Sequence, residues 1–147
     1  MNEIITIFNQ LVGQKCWCPW RGYGMTIFFD FGQKIIISRT KQFQRGAYSL
    51  CLDMSPWKIL RQNKEIGNYK QSYKQIDALL PKFKNQTIEK INILCDLATT
   101  QIIFSNSLVI QTQHSNKSYQ WYLLTPKMEL VVGYNCNISI NNLTKNL

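Results

Sequence analysis

Arg45-Gly46-Ala47-Tyr48-Ser49-Leu50-Cys51-Leu52-Asp53-Met54-Ser55-Pro56-Trp57-Lys58-Ile59 reads as a buried strand that breaks at Ser55-Pro56 and resumes at Trp57. Its apolar alternation suits a pleated surface packed on a core. Proline has no N–H to give to a ladder, so Pro56 predicts a bulge or an edge position at the break. The segment declares β architecture and contains no catalytic constellation.

Upstream, Asn2 can cap a helix whose first turn carries Glu3. Ile4, Ile5, Phe8, Leu11 and Val12 form its apolar face, and Gly13 can end it. The period then changes. Cys16-Trp17-Cys18 leads into the turn Pro19-Trp20-Arg21-Gly22-Tyr23-Gly24, and Met25 to Phe31 resumes as a strand. Phe31-Gly32-Gln33 is expected to turn the chain into a third strand, Lys34 to Ser38, and Thr40 to Arg45 to form a basic exposed loop.

Downstream, Arg61 to Gly67 is polar. Tyr69, Tyr73, Ile76, Leu79 and Leu80 then recur at helical spacing over Asn68 to Leu80, until Pro81 is expected to stop them. Ile88 to Leu94, Gln101 to Phe104, Leu108 to Gln113, Tyr119 to Thr125 and Met128 to Val132 read as five strands in short hairpins. Residues 1–134 are expected to form one domain, and Asn-rich 135–147 a tail or a final strand. The order helix, strands, helix, strands allows a weak internal duplication, since Thr26-Ile27-Phe28-Phe29-Asp30 and Gln101-Ile102-Ile103-Phe104-Ser105 each lead through a tight turn to another strand. The expected fold is α+β: a largely antiparallel sheet of about eight strands, strongly curved or in two parts, covered by two helices.

The helix with Leu11-Val12-Gly13 and Cys16, the strand ending Phe31-Gly32, then Arg45-Gly46-Ala47-Tyr48-x-Leu50 and Trp57-Lys58-Ile59 resemble a family of small bacterial proteins of unknown function. That family shows a Gly-x-aromatic-x-Leu strand followed by Trp-Arg/Lys-Ile. Ile91-Asn92-Ile93, Gln101-Ile102-Ile103-Phe104 and Trp121-Tyr122-Leu123-x-Thr125-Pro126 extend the likeness over roughly residues 3 to 133. Ala47 stands where the family usually has an acid and Lys58 where it usually has arginine. The resemblance implies a partner-binding or immunity-type role and brings no activity with it.

The 147 residues suit a single core, with 45% hydrophobic and 17% charged positions and a mean hydropathy of -0.21. Ile4 to Val12 is too interrupted for a membrane span or a signal peptide. Five cysteines, Cys16, Cys18, Cys51, Cys95 and Cys136, show no repeated CxxC spacing and read as thiols in a reducing cytoplasm. His114 is the single histidine and the acids are dispersed, so neither a metal site, a cofactor motif nor an acid–base pair is expected, and the chain reads as a non-enzyme.

The net charge is +9. Two binding surfaces follow from residue type. Trp20, Arg21 and Tyr23, aromatics around an arginine between glycines, suit an unidentified protein partner. Arg39, Lys41, Arg45, Lys70, Lys74, Lys82 and Lys84 are the candidates for a basic patch on nucleic-acid phosphates, with Lys70 and Lys74 one helical turn apart and Lys82 and Lys84 alternating in an extended segment. The leading expectation is an intracellular protein-interaction module of immunity or accessory type, and the alternative is a nucleic-acid-associated protein.

Overall fold

A computed structural model describes residues 2–17, 19–24, 26–38, 43–53, 56–94, 99–113, 121–133 and 136–143. In chain order its elements are α1 (Asn2–Leu11), β1 (Trp20–Arg21), β2 (Ile27–Ser38), β3 (Phe43–Leu52), β4 (Trp57–Arg61), β5 (Lys64–Asn68), α2 (Tyr73–Leu79), a 3-10 turn (Leu80–Phe83), β6 (Ile88–Ile93), β7 (Thr100–Phe104), β8 (Leu108–Thr112), β9 (Trp121–Leu124), β10 (Met128–Val132) and β11 (Ile138–Asn142). The fold is α+β and mainly antiparallel, with 11 strands among the described residues rather than about eight, in two sheets. The first sheet has the order β1-β2-β3-β9-β10-β11 and the second β5-β4-β8-β7-β6, and neither closes into a barrel among the described residues.

The break at Pro56 is therefore a crossover. β3 lies in the first sheet and β4 in the second, and the chain crosses back between β8 and β9. Each half of the chain runs helix, meander, crossover, hairpin. Its hairpin pairs with the last meander strand of the other half, β9 on β3 and β4 on β8.

Sequence and hydrogen bonds repeat with this topology. Ile4, Ile7, Phe8 and Leu11 of α1 match Ile76, Leu79, Leu80 and Phe83 at one constant offset. Seven of these eight are buried and Leu79 is partly buried, all within the shared core cluster. At the same offset Gly13 (φ 91°) matches Asn85 (φ 65°), each turning the chain out of its helix through the left-handed region. The equivalent segments then bond to each other reciprocally: Gly13 N–H to Ile88 C=O and Asn85 N–H to Cys16 C=O, at 2.8 and 2.6 Å. Ile88 N–H reaches Gln14 C=O and Cys16 N–H reaches Gln86 C=O, at 3.0 and 2.8 Å. Such reciprocity is the signature of an approximate two-fold relation between the halves. Phe31 and Phe104 are equivalent under it, and their rings stack with centroids 6.3 Å apart inside the core. The register also pairs Trp57 with Trp121, and places Phe28, not Thr26, opposite Gln101 in the comparison, two residues from the alignment read off the sequence.

Other expectations are corrected. Phe31-Gly32-Gln33 is not a turn but a bulge inside the 12-residue β2, with Gly32 at φ 74°. Arg45 belongs to β3 rather than to a loop. Arg61 to Gly67 is a hairpin, turned by Gln62 and Asn63 at φ 52° and 62°. α2 starts at Tyr73, not Asn68, because Ser72 and Gln75 form a capping box, so Lys70 precedes the helix. Pro81 does not stop the chain's turning; it sits in the first turn of the 3-10 segment that holds Lys82, where its missing N–H is harmless. Ile5 and Val12, assigned to the apolar face of α1, are exposed. Residues 138–142 dock as β11 on β10. Cys18, Arg39, Lys41, Cys95 and His114 lie outside the described residues.

Candidate binding surface

In the first sheet Ile27, Phe29, Leu50, Leu52, Trp121 and Leu123 point to the core. The alternate residues form an outer row, Trp20–Phe28–Cys51–Tyr122–Val131–Ser139, by strand register. Trp20 stacks on Phe28 with centroids 4.1 Å apart and planes 13° apart, and is 39% exposed. A side chain on Gly22 would strike the Phe28 ring, so glycine there is a packing requirement.

The equivalent row of the second sheet is Asn92–Gln101–Gln111–Lys58–Asn68. Gln101 donates to Gln111 at 2.8 Å across that sheet. A polar outer row is what one wet sheet face produces. Aromatic and apolar residues at the matching positions of the first sheet are a departure from it.

The loop after β1 is held from two sides. Gly22 N–H donates to Thr26 C=O at 2.8 Å, while Arg21 reaches across to α2 and pairs with both oxygens of Asp77, at 2.9 and 3.2 Å. The guanidinium also lies 4.3 Å from the Tyr73 ring centroid, and the hydrogen bond it donates to Asp77 pushes its pKa up. Arg21 is thus a strut between loop and helix. Tyr23, at the tip, is 93% exposed.

Beneath the row, Asp30 is buried on the sheet and accepts from Gly46 N–H at 2.9 Å and from the Trp20 indole N–H at 3.3 Å. Cys51 and Tyr122 are cross-strand neighbours that hydrogen-bond to each other. Burial pushes the Cys51 thiol up to about 12 and, with the Cys51 contact, raises Tyr122 as well. A thiol held protonated in this way is no nucleophile.

Both groups are acids whose folded pKa lies above the unfolded value, so the folded state keeps the proton longer. The stability this confers is intact below about pH 8.5, the ordinary thiol value, and is withdrawn as pH climbs towards 12. The urea midpoint should fall steadily from pH 8.5 to 11, and the Cys51→Ala/Tyr122→Phe double variant should flatten that decline. An unchanged slope in the variant would place the alkaline loss elsewhere.

Of the basic candidates, Lys70, Lys74, Lys82 and Lys84 are exposed around α2 and the 3-10 turn, with the Lys70 ammonium 5.8 Å from the Tyr69 ring centroid. Arg45 lies apart from them on β3, opposite Ile35. Among the described residues no three His, Cys, Asp or Glu side chains gather to hold a metal ion, and no helix is long and apolar enough to cross a membrane. No protein-family model, curated protein or solved structure matches the chain.

Proposed function

We propose that this protein is a non-catalytic interaction module that docks a protein partner on the aromatic rim of its first sheet, formed by Trp20, Phe28 and Tyr23. The observation that carries this reading is the contrast between equivalent positions: an aromatic stack at Trp20 and Phe28, an amide pair at Asn92 and Gln101. Arg21 supports it by bracing the loop, because an aromatic presented on a braced loop loses little entropy on binding. The net charge of +9 favours an acidic partner. The proposed setting is the cytoplasm, where an odd set of five cysteines stays reduced, and the proposed role is of immunity or accessory type.

Tyr23→Ala should leave the melting temperature unchanged, since the ring is almost wholly in solvent, yet weaken partner capture by roughly thirtyfold, about 2 kcal/mol. Quantitative isotope-labelled pull-downs with wild type, Tyr23→Ala and Tyr23→Ala/Trp20→Ala check this. The reading is lost when all three retain the same proteins in the same amounts.

A further inference from the structure

The two-fold relation also exposes an addition. β5 and β10 are equivalent, as the outer strands of the β4–β5 and β9–β10 hairpins, and Asn68 matches Val131. The second half closes this edge with its own chain: Gln71 N–H donates to Asn68 C=O at 3.2 Å, and the Gln71 side-chain oxygen accepts from Asn68 N–H at 3.3 Å. The first half instead lays β11 on Val131, and β11 becomes the outermost strand.

The two ends of the β10–β11 ladder set its phase. Gly133 N–H donates to Asn137 C=O at 2.7 Å and Leu143 N–H to Lys127 C=O at 2.9 Å, so the odd-numbered residues of β11 turn their backbone groups to β10. The N–H and C=O groups of Ile138 and Ile140 therefore point away from the sheet, and among the described residues no strand lies beyond them. Their side chains lie on the core side, opposite Val132 and Leu130. Ile140 packs on the core, whereas Ile138 is 44% exposed.

Of the four sheet edges this one is unguarded. β1 spans two residues, β5 carries exposed Lys64 and Glu65, and β6 carries exposed Glu89 and Lys90 beside a register shift. Shortness, charge and bulges are the devices that keep edges from pairing. Residues 136–143 contain no charged side chain and no proline, and β11 meets β10 in unbroken register over five pairs. In a chain of net charge +9, residues 127–143 hold only Lys127 and Glu129, which cancel.

We infer that β11 is a dimerisation strand, which pairs antiparallel with β11 of a second copy about a two-fold axis at Ser139. In this register Ile138 and Ile140 of the two copies exchange four N–H···O=C bonds, and exposed Ile138 gains the side chain of the copy's Ile140 as its neighbour. A second copy is the occupant that fits because the strand is self-complementary. Isoleucine meets isoleucine, Ser139 meets Ser139, and the neutral flanks approach without the repulsion that two chains of +9 exert elsewhere. The two six-stranded sheets join into one, and the outer row that ends at Ser139 runs on into its copy, with both Trp20–Phe28 stacks on one face. About 17 Å of paired strand makes a small interface, below about 1,200 Å², so the dimer is weak and concentration-dependent.

Sedimentation velocity of the full chain from about 5 to 500 μM tests this, and the weight-average mass should climb from one chain of 17.2 kDa towards two. Ile138→Pro removes an outward N–H and no bond to β10, so it should keep the fold and weaken association at least tenfold. Ser139→Lys sets two ammonium groups face to face across the axis and should weaken it as much; it decides the matter where the proline chain fails to fold. Ser139→Cys should form an intermolecular disulfide under diamide, above the wild-type background, since directly opposed strand residues lie within the roughly 4.4–6.8 Å between Cα atoms that a disulfide spans. Asn141→Cys, roughly 14 Å from its copy in this register, should not. Tyr23→Ala should associate as wild type does, which separates this strand from the protein-partner surface. The inference is overturned by a monomer at the highest concentration, by undiminished association in a folded Ile138→Pro or Ser139→Lys chain, or by cross-linking of Asn141→Cys that matches Ser139→Cys. Loss of association in Tyr23→Ala would overturn it too.

Discussion

Trp57→Ala should destabilise the protein by about 3–5 kcal/mol, a large part of the ~5–15 kcal/mol that holds an ordinary domain together. Trp57 opens β4 at 0% exposure, at the point where the chain has just crossed from one sheet to the other. Its neighbours belong to elements that rigid ladders fix in place: Thr112 is its register partner on β8, and Tyr69 N–H bonds to its carbonyl at 3.1 Å. A cavity of indole size cannot collapse there without parting the sheets. Trp57→Phe keeps most of the buried ring and should recover about half the loss. Urea unfolding followed by circular dichroism measures both, and a wild-type midpoint for Trp57→Ala would remove the ring from the core.

Gly46→Ala should cost about 3 kcal/mol, more than alanine costs at most interior glycines. A methyl group on Gly46 would sit 2.5 Å from the Phe31 carbonyl oxygen, 2.6 Å from the Phe31 nitrogen and 2.8 Å from the Tyr48 oxygen. All three are backbone atoms of the strands at the bulge, and backbone has nowhere to go. The Gly46 N–H also donates to buried Asp30, so a shift that relieved the clash would strand a carboxylate. Gly67→Ala makes the comparison, because its crowding comes from the Leu79 side chain, which can rotate. It should cost well under half as much. Equal losses at the two glycines would mean that the bulge yields.

Much of this was legible in the sequence where the signal is local. The spacing of Ile4, Phe8 and Leu11 marks α1, and Trp57 after Pro56 marks a buried strand start. The bulge at Gly32 was not legible, since glycine serves a turn and a bulge alike. β5 was missed, and β11 stood only as one of two alternatives for 135–147, because Lys64-Glu65-Ile66-Gly67-Asn68 and the Asn-rich 138–142 lack apolar alternation; edge positions need little of it. The repeat was readable at another place than the strands compared: Ile4-x-x-Ile7-Phe8-x-x-Leu11-x-Gly13-Gln14 against Ile76-x-x-Leu79-Leu80-x-x-Phe83-x-Asn85-Gln86. Pro81 and Gly13 hid it by reading as different stop signals.

At the candidate surface, residue type pointed to Trp20 and Tyr23 as aromatics of the β1 loop. The Arg21–Asp77 pair was not legible, because Asp77 lies in the other half of the chain. In sequence Lys70, Lys74, Lys82 and Lys84 read as one possible patch, beside a separate set of Arg39, Lys41 and Arg45. The structure has the four lysines around α2 and the 3-10 turn, and Arg45 on β3.

The exchange of hairpins between halves also sets an order on synthesis. β3 is complete at Leu52, yet its ladder partner ends at Leu124. At about 5–20 residues per second, the β2–β3 hairpin leaves the ribosome roughly 4–14 s before β9 exists. For those seconds a nascent chain of high β content carries an open edge that only its own unmade half can close. The ladder Gly13 to Cys16 forms with residues 85–88 waits likewise. A chain built this way commits its first half to patience.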